Sequence, residues 1–160
     1  MESEERTVGV IDNAQLLTTE NRCIYSLVFT TERVIAALLA AESESLLKAT
    51  ALNSIDKASD FELRFKNMIS NVKEESFHLA DMDPLSILGA HKGSFALPYS
   101  RISRIKIRRG WFISKPYIKL YSYDRPYSFL LLNNIGKALN REVFAGYTNV
   151  LDSIGLQQVY

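Results

Sequence analysis

One cysteine, two histidines, one tryptophan and four prolines stand in a chain of 160 residues, and most of these scarcities close a route. A lone thiol, Cys23, excludes an internal disulfide framework and fits a reducing compartment. His78 and His91 are the only imidazoles, and neither His-x-x-x-His nor Cys-x-x-Cys spacing occurs, so no metal cage is spelled out. His78, Asp81 and Asp83 are close enough to share an ion, but a polar helix-to-loop junction explains them equally well. Gly89 and Gly93 are too sparse to cradle a pyrophosphate, and no G-x-S-x-G surrounds Ser94. Val34–Ala41 is the longest unbroken apolar run, far short of the about 20 residues a membrane-spanning helix needs. The opening Met1–Arg6 is acidic and polar, unlike a secretory signal. The expectation is a cytoplasmic, non-catalytic protein with no cofactor and no metal.

What is present is an ordinary globular composition. Hydrophobic residues make up 47% and charged residues 23%, the balance of a chain that builds its own core. At this length roughly 70% of the unfolded surface can be buried, so no staple is needed. A single domain over residues 7–155 is expected, after a disordered tail at 1–6. The net charge of +1 hides an uneven distribution. Between Pro98 and Arg125 eight cations (Arg101, Arg104, Lys106, Arg108, Arg109, Lys115, Lys119 and Arg125) face only Asp124, giving 8 − 1 = +7, which leaves −6 for the remainder. That imbalance marks either a face for an anionic partner or the solvated side of a sheet.

Hydrophobic patterning supplies the elements. Arg104-Ile105-Lys106-Ile107-Arg108 alternates apolar with basic, Tyr117–Tyr121 alternates again, and Tyr127–Leu132 follows. Successive strands with one apolar and one charged face describe an antiparallel sheet buried on one side. Earlier, Thr7–Asp12 and Leu16–Thr18 are strand candidates separated by a turn at Asp12-Asn13. Ile24–Phe29 and Val34–Leu39 form a hairpin across the four polar residues Thr30–Arg33, and Ile24–Phe29 carries apolar groups on both faces. From Glu42 to about Ser76, glycine and proline vanish and apolar residues recur at helical spacing. One helix over that span would be about 50 Å long, too long for a domain with a radius of gyration near 15 Å. A break is therefore placed at the capping box Ser59-Asp60-Phe61-Glu62. Asp81–Pro84 ends the helical stretch, Leu85–Leu88 suggests a further turn of helix, and Phe95–Leu97 a short strand. Asn133-Asn134 precedes a stripe from Ile135 to Ile154 that predicts an Asn-capped amphipathic C-terminal helix.

Taken in order, the hairpin with Thr30-Thr31-Glu32-Arg33 before Val34-Ile35, then Leu97-Pro98-Tyr99-Ser100-Arg101-Ile102 leading into Ile105-Lys106-Ile107, then two strands and a helix, resembles the pleckstrin-homology-like (PH-like) domains of bacteria and archaea, including GRAM-type members. The resemblance covers residues 7–41 and 93–155. It implies an α+β fold: a partly open antiparallel β-barrel, or two orthogonal sheets, capped by the C-terminal helix. Residues 42–83 depart from the family as a helical insertion. The resemblance also implies a platform for protein or lipid contacts. The phosphoinositide site that eukaryotic relatives carry in the first hairpin loop is not transferred, because only Arg22 or Arg33 is available there.

The candidate binding surface comprises Arg104, Lys106, Arg108, Arg109, Lys115 and Lys119, with Trp111 as an aromatic anchor. Arg104, Lys106 and Arg108 share one strand face because side chains two apart point the same way. Arg and Trp are the residue types that dominate binding hot spots. The leading expectation is a protein-interaction or scaffolding module. The alternatives are peripheral binding to anionic membrane lipid, or single-stranded nucleic acid stacking on Trp111, Phe112, Tyr117, Tyr121 and Tyr123. Apolar excess in the helical insertion also raises the prospect of a homodimer through it.

Overall fold

A computed structural model describes residues 4–17, 23–41, 79, 81–90, 93–131, 138–155 and 158–159. In chain order its elements are β1 (Thr7–Leu16), β2 (Cys23–Thr30), β3 (Arg33–Ala41), α1 (Pro84–Ala90), β4 (Phe95–Pro98), a 3₁₀ turn (Tyr99–Arg101), β5 (Ile102–Arg108), β6 (Tyr117–Ser122), β7 (Pro126–Leu131), α2 (Arg141–Ser153) and β8 (Gln158–Val159). Seven antiparallel strands pair in the order β4-β3-β2-β1-β7-β6-β5, and β8 adds a short parallel rung on the free edge of β5. The fold is α+β: an open antiparallel sheet with a C-terminal helix.

The sheet bends hard. Phe95 on β4 and Tyr127 on β7 have ring centroids 5.4 Å apart, although four strand spacings separate them along the sheet. In a flat sheet that separation would be about 19 Å. Tyr25 on β2 meets Phe95 and Phe129 edge-on at 5.6 and 6.0 Å, the geometry that aromatic quadrupoles prefer. One core results, drawing on Ile11, Leu27, Val34, Leu97, Ile105, Ile118 and Phe129 from the seven antiparallel strands. Helix α2 closes over it with Val143, Phe144, Tyr147, Val150, Leu151 and Ile154, the three-and-four spacing of one helical face. Leu151 is fully buried.

Several sequence expectations shift. Asp12-Asn13 is not a turn; β1 runs through it. The register with β2 slips between Ile11 and Ala14, and Asn13 takes φ 54°, the mark of a bulge. The extra residue changes which parity points inward, from Ile11 to Ala14 and Leu16. The hairpin loop is also shorter than four residues, with β2 continuing to Thr30 and β3 starting at Arg33. Thr30 Oγ1 accepts the amides of Glu32 and Arg33 at 3.1 and 3.0 Å, which closes the turn without glycine or asparagine. Tyr99 donates to Thr30 O at 2.7 Å, and burial pushes its phenol well above the ordinary range.

The tail expected at 1–6 is held at its inner end. Arg33 Nε donates to Glu5 Oε1 at 2.9 Å, Thr30 Oγ1 donates to the same oxygen at 2.6 Å, and Thr31 N donates to Arg6 O at 2.9 Å. Helix α2 begins at Arg141, not at Ile135. Its cap is Asn140, whose side chain accepts from Glu142 N at 2.9 Å, while Leu139 joins the core before the helix starts. Of the helical insertion expected at 42–83, only Leu79 and residues 81–83 are described. The break at Ser59 and the dimer contact both lie outside the described residues.

The outer faces of the two sheet halves differ. Val28, Ile35 and Ala37 on β2 and β3 are covered by Leu79 and Ile87, with Met82 and Leu88 at the margin. Strand β2 is consequently buried on both sides, as its double-sided apolar pattern requires. Among the described residues, no such apolar layer covers β5 and β6.

Candidate functional site

Strands β5 and β6 set Arg104 opposite Tyr121, Lys106 opposite Lys119 and Arg108 opposite Tyr117. Between them Ile105, Ile107, Ile118 and Leu120 are fully buried in the core. Strand alternation therefore puts the three β5 cations and Lys119 on the outer face. Four of the seven sequence-predicted residues are brought together there. Arg104 and Arg108 are exposed, while Lys106 and Lys119 are half-buried along their aliphatic stems. The Tyr121 ring serves two cations, with the Arg104 guanidinium 4.1 Å and the Lys119 ammonium 5.0 Å from its centroid.

Among the described residues, charge on this face is not neutralised locally: Arg104, Lys106, Arg108, Lys115 and Lys119 have no carboxylate within ion-pairing distance. Arg101 meets Asp124 at 3.7 Å, but both side chains are well exposed, so that pair contributes little. Lys106 directly opposite Lys119 is an unfavourable cross-strand pair.

The other three predicted residues, Arg109, Trp111 and Lys115, belong to the β5–β6 loop, and they play different parts. Arg109 is a strut: its Nε donates to Leu139 O at 2.6 Å, and its carbonyl accepts from Leu139 N at 2.8 Å. Gly110 takes φ 87°, and a Cβ there would lie 2.9 Å from both Pro116 N and Ser114 O. Only glycine fits that corner. Trp111 N then donates to Ser114 O at 2.8 Å, and Leu131 N to Pro116 O at 2.9 Å, fixing the loop's return. At the summit Trp111 is 75% exposed, Phe112 95% and Ile113 94%. Lys115 is exposed just after them.

Phe112 was expected only as a base-stacking aromatic in the nucleic-acid alternative, and Ile113 was not singled out. The signal available was their adjacency. Three consecutive apolar residues between Arg109-Gly110 and Lys115-Pro116 break the alternation, so they cannot all face a core from one short loop. Consecutive large apolar groups at such exposure are unlike scattered surface leucines.

Elsewhere, an open cleft of about 710 Å³ lies between the N-terminal segment and the start of α1. Its lining includes Glu4, Glu5, Arg6, Asp81 and Asp83, so its charge opposes that of the β5–β6 face. Arg33 engages Glu5 and holds its carboxyl below the usual range, burial opposing the effect. Cys23 is half-buried at the start of β2. Among the described residues no three His, Cys, Asp or Glu side chains converge on a metal-sized space. No described helix is long and apolar enough to cross a membrane. Comparison with known proteins returns no matching family model, no matching curated protein and no matching solved structure.

Proposed function

We propose that this chain is a PH-like, non-catalytic docking module that holds an anionic surface against the outer face of β5 and β6. The observation that carries the reading is the row Arg104, Lys106, Arg108 and Lys119, gathered on a rigid sheet and lacking local counter-charge among the described residues. The PH-like part is supported by two antiparallel meanders joined through β1 and β7, by the bend that brings Phe95 to Tyr127, and by α2 packed on the shared core. A face held by buried Ile105, Ile107, Ile118 and Leu120 needs no rearrangement to bind, so little ordering cost opposes association.

The test is direct. The triple variant Arg104→Glu, Lys106→Glu, Arg108→Glu, compared with the native chain, should lose binding to phosphatidylserine vesicles, polyglutamate or a single-stranded oligonucleotide, whichever the native chain binds. Its unfolding curve should stay close to native because the substituted side chains lie on the outer face. Native binding must also weaken as salt rises, since screening acts on exposed charge. Unchanged binding by the triple variant discards this surface.

A further inference from the structure

Resting on that reading, we infer that the anionic surface is a lipid bilayer, and that the Trp111-Phe112-Ile113 summit of the β5–β6 loop enters it. Three observations converge. The summit presents an indole, a phenyl and a branched aliphatic group side by side, the indole largely and the other two almost wholly exposed. A bilayer accepts such groups without a shaped counterpart, and indole is the side chain most at home at the membrane–water boundary. A protein partner would have to supply a fitted pocket for all three.

Charge is the second observation. Arg108 and Arg109 precede the summit and Lys115 follows it, and no acidic residue occurs between Pro98 and Tyr123. Strand geometry sets the cations at graded heights: Arg108 beside the loop, the Lys106–Lys119 pair about 7 Å back, and Arg104 about 13 Å back. Inserted by its tip, the protein would place Arg108 and Lys115 among headgroups and the paired lysines just above them. Basic residues close to an anionic leaflet attract it within about a Debye length.

The third observation is that the summit stands on a built base. Gly110 φ 87°, the Trp111–Ser114 hydrogen bond, the Arg109–Leu139 double contact and buried Pro116 hold the loop's two legs. A solvent-facing loop with no further role does not need apolar groups held out by so many constraints. Fixing the loop in advance removes ordering entropy from the binding step.

Trp111 is the only tryptophan, so its emission reports the summit without a label. The native chain would be mixed with phosphatidylserine–phosphatidylcholine vesicles, with phosphatidylcholine alone, with polyglutamate and with a single-stranded oligonucleotide. The expected result is partition onto the anionic vesicles, a blue-shifted Trp111 emission, and quenching by a bromine-labelled acyl chain. Phe112→Ser with Ile113→Ser should reduce partition about tenfold or more and abolish the shift, while thermal unfolding stays native. The Arg108→Glu, Lys115→Glu variant should lose more vesicle binding than Arg104→Glu alone. Vesicle binding without a Trp111 shift, and indifferent to the double serine variant, would overturn insertion yet leave the cationic face as the docking surface. Binding to polyglutamate or oligonucleotide but not to vesicles would also overturn it. No salt-sensitive binding to any of the four would remove the docking reading as well.

Discussion

The contact between β1 and α2 makes the capping helix testable through one methyl group. A Cβ built on Gly9 would lie 2.4 Å from Val150 Cγ2, 2.8 Å from Cγ1 and 3.2 Å from Cβ. Valine is stiff at χ1, so turning one methyl away brings another atom in, and either α2 or β1 must yield. Overpacking of this kind costs about 1–3 kcal/mol. The smaller entropy of an unfolded chain bearing Ala in place of Gly offsets about 0.4–1 kcal/mol of that. Gly9→Ala alone should therefore destabilise by about 1–2 kcal/mol. Val150→Ala removes both γ-carbons from a half-buried site and should cost about 1 kcal/mol. In the double variant the clash is gone, leaving only a tight contact between two β-carbons. Its cost should stay near that of Val150→Ala, a favourable coupling of about 1–2 kcal/mol.

Urea unfolding followed by circular dichroism is the suitable assay, because exposed Trp111 is a poor reporter of folding. At this chain length each kcal/mol corresponds to about 2–4 °C in Tm. Additivity of the two substitutions within about 0.5 kcal/mol would refute the contact. So would a Gly9→Ala variant as stable as the native protein.

Two further outcomes follow from charge. Glu5→Gln should cost about 1–2 kcal/mol near neutral pH, since a charge-assisted hydrogen bond from Arg33 is weakened. Arg33 lowers the folded-state pKa of Glu5, so the native advantage is full above the unfolded value of about 4.5 and fades as pH falls through the lower folded value. Chemical unfolding of the two proteins at stepped acidic pH should show their curves converging; a gap that persists at the acid limit refutes this. Lys119→Glu should raise stability by a few tenths of a kcal/mol, up to about 1 kcal/mol, by turning a like-charge cross-strand pair into an opposite one. The same variant should bind anionic vesicles less tightly, and a loss of stability in thermal unfolding would contradict the cross-strand assignment.

The strands around the site were readable because their faces obey different chemistry. Ile105 and Ile107 alternate with Arg104, Lys106 and Arg108, and a one-residue slip would bury the cations, so pattern dictates orientation. Asp12-Asn13 misled for an equally physical reason. Asparagine is favoured wherever the backbone visits positive φ, and a turn and a bulge make the same local demand. What separates them is whether the chain afterwards pairs with β2 and β7, which is a long-range fact. The start of α2 was blurred because Leu139 continues the apolar stripe while packing into the core ahead of Asn140. Helical spacing cannot distinguish a helical residue from one that enters the core just before the cap. The summit was partly read: Trp111 and Phe112 stood out as aromatics, whereas Ile113 gained significance only through its exposure.

The contrast between the two outer faces is what supports the proposed reading of the cationic row. Solubility alone is best served by interspersed charges of both signs, and the Leu79–Ile87 layer shows this fold covering an outer face with apolar groups. Over β5 and β6 neither arrangement is found among the described residues. Lys106 and Lys119 stand opposite each other at a standing electrostatic cost, and no carboxylate among the described residues relieves them. A like-charge pair on an otherwise well-packed sheet resembles the local rule-breaking that folds reserve for functional surfaces. Under the proposed insertion, anionic headgroups would lower that cost, because the paired lysines would stand just above them. A bilayer would also receive the adjoining apolar summit, which a soluble polyanion would not.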